Sequence, residues 1–202
     1  EALRLIVKSI EKAGFKNGKQ ISICLDVAAN ELYKNKKYSI HSKKYLNVEQ
    51  TINKYIKLIK KFKIKSIEDP FFENDWLAWS RFNKATKKIQ IVGDDLYVTN
   101  LERLKKGFLY ESSNSILIKL NQIGTVSETL DVIRFANNIG YKTVISHRSG
   151  DSEDTFIADL AVGTNSNQIK TGSLSRSERV SKYNQLIRIE EDLGSNARMN
   201  YL

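Results

Sequence analysis

The sequence has 202 residues, of which 41% are hydrophobic, so it can form a sizeable core and wholesale disorder is excluded. Its one cysteine, Cys24, excludes a disulfide scaffold and a cysteine-based zinc cluster, and fits a reduced, intracellular setting. The net charge is +10, and the excess of positive side chains consists mostly of lysines on helical stretches and in residues 34–44. A solvated Lys-rich surface is therefore expected rather than a primary role in nucleic-acid binding. No apolar run reaches the roughly 18–20 residues of a membrane span, and no signal peptide is recognisable.

Short β-branched apolar runs alternate with amphipathic stretches along the whole chain. In chain order, the pattern predicts a helix over 2–13, a strand over 21–25, a helix over 48–62, a strand over 64–67, a helix over 76–87, a strand over 89–92, a helix over 100–107, a strand over 115–118, a helix over 125–140, a strand over 143–145, a helix over 155–162, a strand over 168–169 and a helix over 175–193. Strands that alternate with helices, in a chain with a single proline, favour a parallel α/β sheet.

An ionisable residue follows or ends each predicted strand. In chain order these residues are Asp26, Glu68, Asp94, Lys119, His147 and Lys170. In a (β/α) barrel, and at the ligand edge of an open α/β sheet, active sites are built at the carboxyl ends of the strands. Turn formation or helix capping explains one aspartate there, but not two lysines and a histidine.

The three acidic residues of this set, Asp26, Glu68 and Asp94, come from three successive strands. Carboxylate oxygens suit Mg²⁺, which takes few protein ligands and keeps water or substrate oxygens. Surface solvation with capping is the alternative interpretation. Zinc is disfavoured because the only histidines, His41 and His147, do not form a pair with metal-ligand spacing.

The basic residues predict an anionic substrate. Lys119 or Lys170 can serve as a general base, since nearby positive charge favours the neutral form of a lysine; alternatively, both bind an anionic ligand. The run His147-Arg148-Ser149-Gly150 follows a strand, and its guanidinium, hydroxyl and loop amides suit a phosphate.

Several stretches resemble the signature motifs of the enolase (phosphopyruvate hydratase) family. They are Ile67-Glu68-Asp69-Pro70-Phe71, Val92-Gly93-Asp94-Asp95-Leu96, Ile118-Lys119-Leu120-Asn121-Gln122-Ile123-Gly124, Ser146-His147-Arg148-Ser149-Gly150, Gln168-Ile169-Lys170-Thr171-Gly172 and Lys182-Tyr183-Asn184-Gln185-Leu186. The resemblance runs from the first helix to Gly194 and includes Leu25-Asp26. Residues 34–47 fall where the family has a mobile loop.

The resemblance implies a TIM-type (β/α) barrel and a glycolytic lyase that reversibly dehydrates 2-phospho-D-glycerate to phosphoenolpyruvate. A Lys or His base that works with one or two Mg²⁺ ions is a known property of this superfamily. Carried over by motif, the resemblance makes Asp26, Glu68 and Asp94 the Mg²⁺ ligands and Lys119 the base. Lys170 then contacts the substrate carboxylate, Arg148 and Ser149 hold the phosphate, and His147 lines the site.

The sequence lacks the family's Gly-Asp-Glu-Gly-Gly stretch, which supplies the general acid. A general acid contributes about 10²–10⁴-fold in rate. Residues 1–202 are therefore expected to be a single, partial domain, an incomplete barrel of about six strand–helix units that is inactive by itself. The start at Glu1 rather than at methionine suggests a piece of a longer protein.

Two other functional classes stay open at this point. One is an inactive enolase-like protein that binds a partner, such as an RNA-processing assembly or a surface ligand. The other is a basic module that uses its excess lysine on RNA or anionic lipid. The resemblance also implies a homodimer and a cytoplasmic location, although family members are also found at the cell surface or secreted.

Overall fold

The computed structural model describes residues 1–40, 45–166 and 168–199. The chain divides into two compact units. The first comprises Glu1–Tyr97 and Lys105–Asn114, and the second comprises Val98–Leu104 and Ser115–Leu202. Among the described residues, no helix has the length and apolar character needed to cross a bilayer.

In the part of the first unit that the structure describes, three strands pair in parallel, and the strand that ends at Glu68 lies between those that end at Asp26 and at Gly93. Its elements, in chain order, are α1 (Ala2–Lys12), β1 (Ile23–Asp26), a 3₁₀ helix (Ala29–Leu32), a hairpin of β2 (Tyr33–Lys34) and β3 (Lys37–Tyr38), α2 (Val48–Phe62), β4 (Ile64–Glu68), α3 (Trp76–Ala85) and β5 (Gln90–Gly93). The boundary between the units falls within the next helix, α4 (Leu101–Leu109).

An aromatic cluster forms the core beside the carboxyl end of β4. The Phe71 ring packs edge-on against Tyr38, Tyr55 and Phe82, with ring centroids 5.4, 5.8 and 5.6 Å away. The Tyr55 hydroxyl donates a hydrogen bond to the carbonyl oxygen of Pro70 at 3.0 Å. These contacts fix the chain directly after Glu68, and edge-to-face aromatic pairs contribute about 0.5–1.5 kcal/mol each beyond their burial.

Among the described residues of the second unit, three strands also pair in parallel, and the strand that ends at Ser146 lies between those that end at Ile118 and at Lys170. Its elements are β6 (Ser115–Ile118), α5 (Leu120–Ile123), α6 (Val126–Asn138), β7 (Lys142–Ser146), α7 (Phe156–Gly163), β8 (Gln168–Lys170), α8 (Ser177–Leu193) and a 3₁₀ helix (Gly194–Asn196). All four residues of β6 are buried, as a parallel strand with both faces covered requires. The Thr125 side chain caps α6 by accepting the Glu128 N–H.

The structure confirms the predicted alternation of helices and strands, with bounds that either match or shift by at most two residues. Three kinds of element were not predicted: the 3₁₀ helices, the β2–β3 hairpin and α5. The strands of the hairpin have two residues each and α5 has four, too few to show a hydrophobic period. Within the Lys-rich stretch 34–47, residues 41–44 lie outside the described residues, and so does His41.

Candidate active site

The three predicted metal ligands lie at the carboxyl ends of adjacent strands in the first unit. Asp26 and Glu68 are direct register partners at the last positions of β1 and β4. Glu68 is in register with Val92 of β5, and Asp94 follows two residues later. Glu68 and Asp94 are 7% and 8% exposed, whereas Asp26 is exposed to solvent. The parallel register thus brings the ends of the three strands side by side.

A fourth carboxylate, that of Asp69, supports the turn that carries Asp94. Its two oxygens accept the N–H groups of Asp94 and Asp95 at 2.9 and 2.8 Å. Oxygens of Asp69, Asp94 and Asp95 lie within 4.8 Å of one another. Burial raises the pKa of Asp69 well above its usual value; the two N–H groups lower it and the neighbouring carboxylates raise it. Asp69 received no role from the sequence, although its place between a strand end and Pro70 marks it as a turn residue.

Asn30 links three segments near the strand ends. Its amide nitrogen donates to the carboxylates of Glu73 at 3.1 Å and Asp95 at 2.8 Å, and its amide oxygen accepts the Glu73 N–H at 2.9 Å. No sequence pattern indicates this bridge, because Asn30 is 43 and 65 residues from its two partners.

The two candidate lysines stand at one level of the second unit's strands. Ile118 of β6 pairs with Ile145 of β7, so Lys119 is level with Ser146, and Ser146 itself pairs with Lys170 of β8. Residues at one level of neighbouring parallel strands face the same side. Both lysines are half-buried. The Lys119 N–H donates to the hydroxyl of Thr99 at 2.9 Å, and that hydroxyl donates to Gln122 at 2.7 Å, which fixes the start of α5.

His147 follows β7 and is held in its neutral form. Its N–H donates to the carbonyl oxygen of Lys170 at 2.9 Å. Burial lowers the pKa of His147 below its usual value, the cations Arg179, Lys170 and Lys119 lower it further, and Asp151 opposes them. The imidazole Nδ1 lies 2.5 Å from Nη1 of Arg179. A guanidinium has only donors, so Nδ1 is the acceptor and the ring proton is on Nε2.

A cavity of about 400 Å³ opens beside His147 and Arg148, and Asn121 and Asp151 also line it. The Arg148 guanidinium donates to the side-chain oxygen of Asn121 at 3.1 Å, and the Arg148 N–H donates to Asp151 at 3.2 Å. Arg148 and Ser149 are both exposed. A guanidinium held at the rim of such a cavity suits a phosphate or carboxylate group. Asn121 lies in a motif quoted above but received no role from the sequence.

Each unit therefore holds a part of the predicted set of site residues. The first unit holds Asp26, Glu68 and Asp94, and the second holds Lys119, His147, Arg148, Ser149 and Lys170. Sequence reasoning missed Asp69, Asn30 and Asn121, and it also missed Arg179 and Lys182 of α8. Of the two residues of α8, only Lys182 stood in one of the quoted motifs.

Comparison with known proteins gives two findings. A family model described as "Enolase, C-terminal TIM barrel domain" matches residues 1–201. A protein named "Enolase" from Pelagibacter ubique (strain HTCC1062) is 76% identical over 200 residues, which cover 99% of this chain and 48% of that relative. The chain thus spans about half the length of the curated relative. The family model also confirms the predicted (β/α) barrel class.

Proposed function

The chain belongs to the enolase family, and on that basis we propose that the whole protein reversibly dehydrates 2-phospho-D-glycerate to phosphoenolpyruvate with the help of Mg²⁺. One observation carries most of the proposal. Lys119 and Lys170 stand at one level of the β6–β8 strands, and both act electrostatically on His147, whose neighbour Arg148 lines the cavity. This arrangement supports a base that is surrounded by groups able to bind anions.

The reaction removes a weakly acidic proton from the carbon next to a carboxylate. Lys119 is the proposed base, and the fixed start of α5 sets its position. Lys170 is proposed to bind the substrate carboxylate, and Arg148 with Ser149 to bind the phosphate. His147 is neutral, so it lines the site as a hydrogen-bond donor at Nε2 without adding charge. A positioned base contributes about 10²–10⁴-fold in rate.

The carboxylates of the first unit fit a magnesium ion. Asp26 and Glu68 are register partners, Asp94 follows the adjacent strand, and all three offer the hard oxygen ligands that Mg²⁺ prefers. Both Asp69 oxygens already accept backbone N–H groups, so we place Asp69 as the support of Asp94 and not as a ligand. Bound Mg²⁺ would supply positive charge that stabilises the negative charge developing on the substrate carboxylate.

The exchange of the substrate's carbon-2 proton with solvent deuterium tests the role of Lys119. In the whole protein, Lys119→Ala is expected to abolish this exchange, followed by NMR, together with phosphoenolpyruvate formation, followed by ultraviolet absorbance. Lys88→Ala, at an exposed lysine of the first unit, is the control and should retain both. Retained exchange in Lys119→Ala would remove Lys119 from the role of base, and a wild-type protein without turnover would contradict the proposed reaction.

The other implications of the family stay predictions. They are that residues 1–202 are inactive by themselves, that the whole protein forms a homodimer in the cytoplasm, and that it joins an RNA-degradation assembly. Sedimentation of the whole protein tests the dimer directly.

A further inference from the structure

Two cationic side chains of α8 hold the loop that carries His147, Arg148 and Ser149. Arg179 and Lys182 are three positions apart, so they lie on one side of the helix. Both point to residues 147–152, here called the 147–152 loop. Their side chains are only 13% and 1% exposed, which is uncommon for arginine and lysine in general.

Arg179 contacts three successive residues of this loop. Its Nη1 donates to Nδ1 of His147 at 2.5 Å and to the carbonyl oxygen of Arg148 at 2.8 Å, and its Nη2 donates to the carbonyl oxygen of Ser149 at 2.8 Å. Gly172 leaves room for this arrangement, since a Cβ there would lie 2.7 Å from Cδ of Arg179 and 3.1 Å from Cε1 of His147. The planar fork of donors therefore fixes both a side chain and two carbonyl groups.

Lys182 holds the other half of the loop. Its ammonium donates to Asp151 at 3.3 Å, to the carbonyl oxygen of Glu178 at 2.7 Å and to the carbonyl oxygen of Ser152. Asp151 in turn accepts the N–H groups of Arg148 at 3.2 Å and Ser152 at 2.8 Å. Lys182 thus reaches the backbone of Arg148 through one intermediate carboxylate. Three acceptors compensate the desolvation of its charge.

We infer that Arg179 and Lys182 are positioning residues for phosphate binding, which act by holding the 147–152 loop so that Arg148 and Ser149 meet the anion. We assign neither residue a contact with the phosphate itself. Arg179 has the further task of keeping the proton of His147 on Nε2. This inference rests on the proposed function, because that function supplies the phosphate-bearing substrate.

Substitutions of Arg179 in the whole protein test the inference. In metal sites, groups that orient a ligating residue typically change affinity by about 10–100-fold when they are removed. For Arg179→Ala we expect a rise of similar size, roughly 10–100-fold, both in KM and in the Kd for inorganic phosphate, measured by calorimetry. The value of kcat should fall much less, because the lost contact serves binding more than proton transfer. Arg179→Lys should recover little of the lost phosphate affinity, since the ammonium group of lysine cannot reproduce the planar set of guanidinium donors. Guanidinium ion at a non-denaturing concentration should partly restore phosphate binding to Arg179→Ala. Arg188→Ala, at an exposed residue of the same helix, is the matched control.

The ionisation of His147 gives a readout that loss of stability alone does not move. Arg179, Lys170 and Lys119 lower the pKa of His147, and Asp151 raises it. Loss of Arg179 is therefore expected to raise the pKa of His147, measured by NMR titration with His147→Gln for assignment. In Arg188→Ala the pKa should match that of the wild-type protein.

The outcomes separate the inference from the proposed function. Unchanged phosphate affinity and an unchanged pKa of His147 in folded Arg179→Ala would overturn the inference, even if the wild-type protein is an active dehydratase. If phosphate binding weakens as expected but the wild-type protein has no turnover, the positioning role is supported and the proposed reaction is not. Lys182→Met should weaken phosphate binding in the same direction; if it does not fold, Asp151→Asn tests the same link from the other side.

Discussion

Asp69 and Asp94, at the ends of adjacent strands, have different roles: Asp69 supports a turn, and Asp94 is a proposed metal ligand. Both oxygens of Asp69 accept the N–H groups of residues 94 and 95, while Asp94 is the proposed ligand that this turn presents. Groups that orient a metal ligand typically change metal affinity by about 10–100-fold when removed. The ligands themselves should matter more than their supports.

Removal of a proposed ligand is therefore expected to raise the magnesium requirement steeply. Glu68→Ala or Asp94→Ala should raise the Mg²⁺ concentration for half-maximal activity by more than about 100-fold, and Asp69→Ala by about 10–100-fold. Calorimetric titration with Mg²⁺ should rank the three variants in the same order by metal affinity, and it does not depend on turnover. Glu11→Ala, at an exposed residue of α1, is the control. An unchanged requirement in Glu68→Ala and Asp94→Ala would remove both residues from the metal site.

Asp151 links stability to pH. Burial opposes its ionisation, but the N–H groups of Arg148 and Ser152 and the Lys182 ammonium together hold the pKa of Asp151 below its usual value. A carboxyl with a lowered pKa stabilises the folded state above its unfolded pKa of about 3.9, and this contribution is lost as the pH falls through the folded value.

Asp151→Asn should reveal this contribution in urea unfolding. At pH 7 we expect a loss of about 1–3 kcal/mol, because the substitution leaves the buried Lys182 charge without its carboxylate partner. The difference from the wild-type protein should shrink as the pH falls from the unfolded pKa of about 3.9 through the lower pKa of the native carboxyl. A difference that stays constant from pH 7 down to acid would contradict this account.

At the scale of the elements, a glycine inside α4 shows packing that outweighs helix propensity. A Cβ at Gly107 would lie 2.3 Å from both Cε1 and the hydroxyl oxygen of Tyr97. That ring is fully buried, and its hydroxyl is 2.6 Å from the hydroxyl of Ser113. An alanine is worth about 1 kcal/mol over glycine in a helix, whereas overpacking a filled core typically costs about 1–3 kcal/mol.

Gly107→Ala is therefore expected to destabilise the protein by up to about 2 kcal/mol despite the better helix former. Gly163→Ala is the matched control, because Gly163 is also helical and a Cβ added there would meet no atom within 4 Å. Thermal unfolding should show a lower midpoint for Gly107→Ala and an equal or higher one for Gly163→Ala. Equal midpoints in both variants would mean that Tyr97 moves aside without cost.

The sequence predicted α2 from its helical period and β6 from its short apolar run. It also predicted the residues at the strand ends, because parallel strands bring these ends together by geometry. It could not predict α5, with only four residues. Nor could it predict the contacts of Arg179 with the 147–152 loop, since they join residues about thirty positions apart and leave no local pattern. Side-chain supports of this kind depend on the packing of α8, not on its sequence period.

At the scale of the whole molecule, the two units contribute opposite charges to the proposed chemistry. The first supplies the carboxylates Asp26, Glu68 and Asp94, and the second supplies the cations Lys119, Arg148 and Lys170. The net charge of +10 is a sum over the whole chain, so it does not show that the carboxylates and the cations of the proposed site lie in different units. Because the proposed metal ligands and the proposed phosphate ligands belong to different units, Mg²⁺ and phosphate titrations test the two proposals separately.

The activity of residues 1–202 by themselves can therefore be compared with that of the whole protein. We expect the purified chain to form phosphoenolpyruvate at a negligible rate, because the stretch that supplies the family's general acid is not in this sequence and such a group contributes about 10²–10⁴-fold. The whole protein, assayed at the same concentration and Mg²⁺ level, is the positive control. Circular dichroism establishes that the chain is folded, and calorimetry with inorganic phosphate establishes that the 147–152 loop is formed. A folded chain that binds phosphate without turnover would agree with the absence of the general acid, whereas sustained turnover would show that these residues contain a proton donor of their own.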